Sequence, residues 1–449
     1  MNSENRRAFI VKSGLVAAGA LTSPNFLFKS YSRKSDQKLN VGLIGAKGMG
    51  WANAMNAIKV ENVELIAICD VDKEVLKNRV QQYDELKSKK LKTYSDYRKL
   101  LNNPKVDIVI IGTPDHWHCK MFCDAIDAGK HIYVEKPIAL TIEECQLMIN
   151  TASKRPDLMV QVGQWQRSGP HYRKAFDIVK SNALGQIRLV KTWAYQGWMK
   201  PVDQLPDSIA PDHVDYQMWL GPAPERPFNK NRFHFNFRWF WDYAGGLMTD
   251  WGVHEIDIAL YAMGVNAPKS VVASGGKLAY PNDASETPDT LQAIFEYENF
   301  NMLWEHATGI DGGPYGRTEG IAFIGNNGTL VVNRGGYEVY TEKASISYSE
   351  KGEPKMETIS KFEKPKDLNY LALHWENFIN AIDSKNPQIL NTPLVSGSVA
   401  AINAMMGNIA FHTGRKIYWD SKNMNFKNDE EANSYLSREY HHGWQKPKT

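Results

Sequence analysis

The sequence predicts an α/β protein: a parallel sheet flanked by helices, then an α+β part with an open, mostly antiparallel sheet. Three observations predict it. Short β-branched runs alternate with helical patterns from Leu39 to about residue 137, the mark of a buried parallel sheet. The first run ends among glycines, Gly45, Gly48 and Gly50. Beyond about residue 160 the runs alternate with the two-residue period of half-buried antiparallel strands.

The chain has 449 residues, 43 % hydrophobic and 23 % charged, ordinary for a globular protein and enough for two or three domains. Its 53 Lys+Arg against 50 Asp+Glu leave a net charge of +3, which gives no electrostatic case for nucleic acid. Cys69, Cys119, Cys123 and Cys145 are too few for a disulfide scaffold. They are expected as small buried hydrophobes. Residues 1–35 read as an export segment of twin-arginine type: Arg6-Arg7, an apolar stretch from Gly14 to Leu21, then Ser23-Pro24 and a polar linker. The stretch is too short to span a bilayer, so a periplasmic protein without a stable membrane anchor is expected.

In the first part, LNVGLIG (39–45), VELIAICD (63–70), VDIVIIGTP (106–114) and HIYVEKP (131–137) read as strands, with a helix from about Gly50 to Ile58. The turn Gly45-Ala46-Lys47-Gly48-Met49-Gly50 fits the first and third glycines of G-x-G-x-x-G, with Lys47 at the second. Such a turn aims backbone N–H groups at phosphate. Asp70 closes the second strand, where a carboxylate accepts from ribose hydroxyls and repels a 2′-phosphate. That combination predicts a Rossmann NAD-binding domain over 36–160. The expected cofactor contacts are Gly45, Lys47, Gly48, Met49, Gly50, Asp70, Thr113, Pro114, His116, His118, Glu135 and Lys136.

The glycine turn, Asp70, the Glu135-Lys136-Pro137 tripeptide and the later Gly245-Gly246…Asp250…His254 stretch together resemble the Gfo/Idh/MocA family of glucose–fructose oxidoreductase and inositol dehydrogenase. The resemblance covers roughly residues 39–420, and Lys47 is a departure that touches pyrophosphate binding. It implies a catalytic trio: Lys136 orienting a substrate hydroxyl, His254 as acid/base, and Asp250 beside it. It also implies a homo-oligomer, dimer or tetramer, formed through the open sheet face; the expected export, to where free NAD is scarce, implies tightly bound NAD. Four residues apart, Asp250 and His254 are expected on one helix face, the carboxylate orienting the imidazole.

The second part, 161–449, is expected to bind substrate and to carry the oligomer contacts. Strands are read at 186–196, 269–280, 290–298, 301–307 and 329–333, and helices at 371–383 and 396–414. Residues 211–246 form an aromatic and polar run that reads equally as a carbohydrate platform or as core. Gln164, Arg167, Trp193, Tyr195, Arg238, Asp250 and His254 are the expected substrate contacts. His116-x-His118 and His441-His442 lack a ligand partner by spacing, so no metal site is expected. The expected activity is NAD-dependent oxidation of a sugar hydroxyl, the 3-OH of a glycoside, as in the exported glycoside 3-dehydrogenase-like branch the chain resembles. The alternatives are an NAD-requiring glycosidase, an inositol or polyol dehydrogenase, and a non-catalytic carbohydrate-binding protein.

Overall fold

A computed structural model describes residues 38–341 and 358–448; the expected export segment lies outside the described residues. The first sheet is built from β1 (Leu39–Ile44), α1 (Gly48–Ala57), β2 (Val63–Cys69), α2 (Lys73–Lys87), β3 (Lys92–Tyr94), β4 (Ile108–Ile111), α3 (Asp115–Asp127), β5 (His131–Val134), α4 (Ile142–Ser153) and β6 (Val160–Val162). Its order is β3-β2-β1-β4-β5-β6, with every pair parallel. Helices on both faces bury β1 and β4 almost completely, so both read as unbroken apolar runs. The order reverses between β1 and β4, and such a switch point opens a crevice at the strands' carboxyl ends.

Local chemistry sets the helix starts. The Asp72 side chain accepts from the Glu74 and Val75 amides and caps α2. Thr141 and Glu144 form a reciprocal capping box on α4. The expected boundary at residue 160 falls on β6.

The second sheet follows with β7 (Ile187–Gln196), α5 (Gly246–Asp250), α6 (Gly252–Met263), β8 (Ser270–Gly276), β9 (Thr290–Glu296), β10 (Asn301–Thr308), β11 (Glu319–Gly325), β12 (Gly328–Asn333), β13 (Gly336–Thr341) and β14 (Thr358–Glu363). After α7 (Tyr370–Ser384) and α8 (Leu394–Thr413) come β15 (Ile417–Asp420) and β16 (Asn425–Phe426). The sheet runs β14-β13-β12-β11-β7-β10-β9-β8-β15-β16, and β7–β10 is its one parallel pair among the described residues. Helices α6 and α8 bury one face. Helix α8 has the length and composition of a membrane span, yet most of it is buried in this core. All four cysteines are buried and unpaired.

The C-terminal part returns to the first sheet through α7. Trp375 stacks on Tyr133 of β5 at 4.4 Å between ring centroids. Its indole N–H donates to Asn53 Oδ1 at 3.2 Å, and Asn53 Nδ2 donates to Glu135 Oε1 at 2.6 Å. One relay thus joins α7, α1 and the residue before Lys136. Replacing the fully buried Trp375 by alanine opens a cavity and leaves Asn53 Oδ1 without its donor. A loss of about 3–5 kcal/mol in urea unfolding is expected for Trp375→Ala.

Candidate active site

A cavity of about 570 Å³ lies at the switch point and is lined by residues of both sheets' units. Its floor is the glycine turn. Gly45 has φ +83°, and a side chain there would lie 2.6 Å from the Gly112 carbonyl oxygen. A Cβ on Gly50 would lie 2.0 Å from the Gly45 oxygen, so α1 starts only because this position is bare. Gly48 (φ +51°) faces open space and takes the left-handed turn that Lys47 leaves to its neighbour.

Asp70 sits at the end of β2. Its carboxylate accepts from the Ala46 amide at 2.8 Å and the Asp72 amide at 3.0 Å. Burial pushes its pKa up to about 6, against the pull of those backbone donors. Arg79 donates to the Ala46 carbonyl at 2.9 Å and stacks on Trp51, which fixes the outer lip. A bare turn over a helix start, with a carboxylate at the neighbouring strand end, fits the pyrophosphate and ribose of NAD.

At the other end Lys136 Nζ donates to Asp250 Oδ1 at 2.7 Å and to the Asp250 carbonyl at 2.8 Å. Arg238 Nε donates to the same Oδ1 at 3.3 Å. Burial alone would raise the Asp250 pKa, but Lys136 and Arg238 outweigh it and hold it at about 2. Asp115 lines the same cavity. Its burial, opposed by Arg238 and Lys136 and reinforced by Asp250, lifts it to about 8, so its carboxyl is mostly neutral at pH 7.

His254 lies behind Trp251, one turn into α6. Burial first, then the charges of Lys136 and Arg334, hold its pKa well below the ordinary imidazole range. Its Nδ1 is buried without a hydrogen-bond partner. His254 is not among the residues lining the cavity, but its neutral imidazole lies within electrostatic reach of the fixed ammonium, where a base can take a proton from a hydroxyl held by the lysine.

Two family models match this chain. One, described as oxidoreductase family, NAD-binding Rossmann fold, matches residues 39–164, and the other, its C-terminal alpha/beta domain, matches 168–294. The chain belongs to the Gfo/Idh/MocA oxidoreductase family. It binds NAD through the Rossmann domain. Among curated relatives, an alpha-N-acetylgalactosaminidase of Shewanella oneidensis is 36 % identical over 174 residues, and a glycosyl hydrolase family 109 protein of Shewanella sp. strain ANA-3 is 33 % identical over 174. Each match covers 34 % of this chain and only 38 % of the relative. Levoglucosan dehydrogenase in complex with NADH and levoglucosan shares the fold at TM-score 0.63 and 18 % identity, covering 85 % of this chain and 99 % of that one. GenD2 from gentamicin A biosynthesis, in complex with NAD, gives 0.63 at 17 %, covering 86 % and 97 %.

The structure brings Gly45, Lys47, Gly48, Met49, Asp70, Thr113, Pro114, Glu135, Lys136, Arg238 and Asp250 to one cavity. Gly50 supports the turn from beneath. The Glu135 carboxylate is taken by Asn53 and the Lys136 amide, so it holds the strand end. Gln164 is buried, donating to the Val253 carbonyl one residue before His254.

Other expectations need correction. His116 and His118 are fully buried in α3 and bonded to the carbonyls of Trp219, Pro137 and Thr113, so they brace the fold rather than the cofactor. Arg167 is locked in a buried ion pair with Asp257, at 2.6 and 2.7 Å, away from the cavity. Trp193 is sealed against β11, and its N–H is taken by the Arg317 carbonyl. Tyr195 reaches Glu305 on the same sheet face. Asp250 does not orient His254. The helix breaks at Trp251 between them, and the carboxylate is committed to Lys136 and Arg238.

The aromatic run divides in two. Trp219, Phe228, Phe233, Phe237, Trp239, Phe240 and Tyr243 pack as a core cluster of their own. His234, Phe235 and Arg238, on the cavity side, complete its wall. The spacing of the sequence missed Asp115, Arg79 and Arg334. Asp115 begins α3 directly after Thr113-Pro114, and that strand-end position was the available signal.

Two outcomes follow from this geometry. The affinity for NAD falls as Asp70 takes up a proton, and the ribose then loses its charged acceptor. Calorimetric titration is expected to show about tenfold weaker binding at pH 5 than at pH 7; equal affinity would remove Asp70 from ribose recognition. Arg167→Ala strands the buried Asp257 carboxylate and is expected to cost about 3–5 kcal/mol of stability in denaturant unfolding.

Proposed function

We propose that the protein is an NAD-dependent carbohydrate oxidoreductase that oxidises the 3-hydroxyl of glycosides to 3-keto-glycosides. The observation that carries this reading is Lys136 pinned by Asp250 at the cavity's inner end, with a neutral, buried His254 within its electrostatic reach. Bound NAD supplies the hydride acceptor for a carbinol carbon. The chain's own residues handle the oxygen and its proton.

Lys136 holds the hydroxyl oxygen and favours the growing carbonyl dipole. Its ammonium cannot wander, because two acceptors on Asp250 fix it. His254 accepts the hydroxyl proton. Being uncharged, it is available as a base at neutral pH, and the proton it takes is returned to water or to the reverse reaction. Phe235 on the cavity wall is half exposed and offers an apolar ring of the kind that packs on a sugar. The names of the structural neighbours support a sugar-type substrate. Residues 1–35 support export to the periplasm.

A second reading has its own support: the matched curated relatives are named as glycosidases. Net hydrolysis through transient C3 oxidation uses the same lysine and histidine, plus a base for the C2 proton. Incubation of NAD-loaded protein with a panel of glucosides and galactosides separates the two. The dehydrogenase accumulates keto-glycoside and NADH; the glycosidase releases aglycone with NAD unchanged. Under either reading Lys136→Ala and His254→Ala are expected to lower kcat by about 10²–10⁴-fold while leaving NAD bound. Full activity in either variant would sink the assignment.

A further inference from the structure

We propose that Arg334 forms a carboxylate-recognition site beside His254, so that the preferred glycosides carry a carboxylate. The inference rests on the oxidoreductase reading above and specifies its substrate class. Arg334 comes from the β12–β13 hairpin and reaches across to α6. Its guanidinium lies between two indoles, 4.7 Å from the Trp165 ring centroid and 4.4 Å from that of Trp251. The same two rings flank His254, at 6.2 and 6.1 Å between centroids. Arginine and imidazole therefore pack against the same two tryptophans, and Trp165, Trp251 and Arg334 are each only partly buried.

Arg238 pairs with Asp250 and Arg167 with Asp257, but no carboxylate lies within ion-pair distance of Arg334 among the described residues. One edge, Nε and Nη2, donates to the neutral Gln166 Oε1 at 3.2 and 3.1 Å. The remaining donor, Nη1, has no partner among the described residues and is not sealed in the interior. Glu255 and Glu319 are the acidic groups behind it. Glu319 Oε1 accepts from the Arg334 backbone amide, while the Oε2 atoms of both carboxyls are buried without partners. Burial, and for Glu255 also the charge of Glu319, raises both pKa values, while Arg334 pulls both down.

An arginine packed against two indoles, with one edge held by Gln166 and Nη1 free of a partner among the described residues, has lost much of its freedom to move. Its fixed fork matches a carboxylate better than a single hydroxyl. The stack also sets the distance from His254, so the anionic group would sit beside the reacting carbon rather than at a remote rim. The carboxylate can belong to the sugar ring or to the aglycone.

Three substrates distinguish these sources: phenyl glucoside, phenyl glucuronide and 4-carboxyphenyl glucoside, each with the NAD-loaded full chain. The wild type is expected to show at least about tenfold higher kcat/KM for one of the two acids than for phenyl glucoside. Arg334→Gln is expected to erase that preference, and Arg334→Lys to keep part of it. The Lys variant decides the matter where the Gln variant fails to fold. Dissociation constants of the same three compounds, measured by calorimetry, read the site without turnover. Acid-selective binding without oxidation would uphold Arg334 and overturn the oxidoreductase reading. Oxidation without acid preference, or a preference that survives in Arg334→Gln, would overturn the proposal alone.

Discussion

The contact between Lys136 and Asp250 organises the catalytic end of this molecule. The lysine stands at the end of a parallel strand, and the aspartate at the end of a short helix of the second unit. Burying either charge alone would cost several kcal/mol. Together they are tolerable because each meets an opposite charge: two oxygens of Asp250 accept from the ammonium, and Lys136 with Arg238 donates to one carboxylate oxygen. The pair therefore does more than hold two domains together. It fixes a positive centre at a known depth in the cofactor cavity. That centre lowers the basicity of His254 and helps hold Asp115 below where burial alone would put it. The protonation states at this end of the cavity follow largely from this one ion pair and from exclusion of water.

The architecture was largely legible because the two halves have different periods. Buried parallel strands need unbroken apolar runs, and β1 and β4 supply them. Antiparallel strands with one wet face alternate, as β9 does. What escaped were β3, β6, β11, β13 and β14 through β16. Several are two to four residues long, and the others carry too many glycines or charges at their ends to stand out. Pairing partners from elsewhere in the chain, rather than local preference, make them strands.

At the site, the motif positions Gly45, Asp70 and Lys136 line one cavity, whereas the spacing argument for Asp250 and His254 failed. Gly45, Asp70 and Lys136 are fixed by the backbone path of the strand ends, so their sequence context suffices. The four-residue interval between Asp250 and His254 implied a shared helix face. It failed because a carboxylate chooses the strongest nearby cations, and Lys136 lies 114 positions away. His116 and His118 failed for a related reason. A histidine at a helix start can face a ligand or the core, and only the tertiary position of the Trp219 and Pro137 carbonyls decides. Arg334 was invisible from sequence, since nothing near it in the chain announces two tryptophans from other elements.

The division of labour between the two ends of the cavity limits what the enzyme can be. The glycine turn and Asp70 recognise a dinucleotide common to many reactions. On the proposed reading, Lys136 and a neutral His254 provide proton transfer at one oxygen, which oxidation at C3 needs and transient oxidation during glycoside cleavage also needs. Neither group distinguishes the two outcomes. The distinction lies in whether a second base reaches the neighbouring C2 hydrogen while the keto form is bound. Asp250 is unsuited to that task, because Lys136 and Arg238 hold it ionised but occupied. Asp115 is mostly protonated and serves better as an acid. On the reading proposed above, a substrate that stays oxidised is the outcome that an occupied Asp250 and a protonated Asp115 favour.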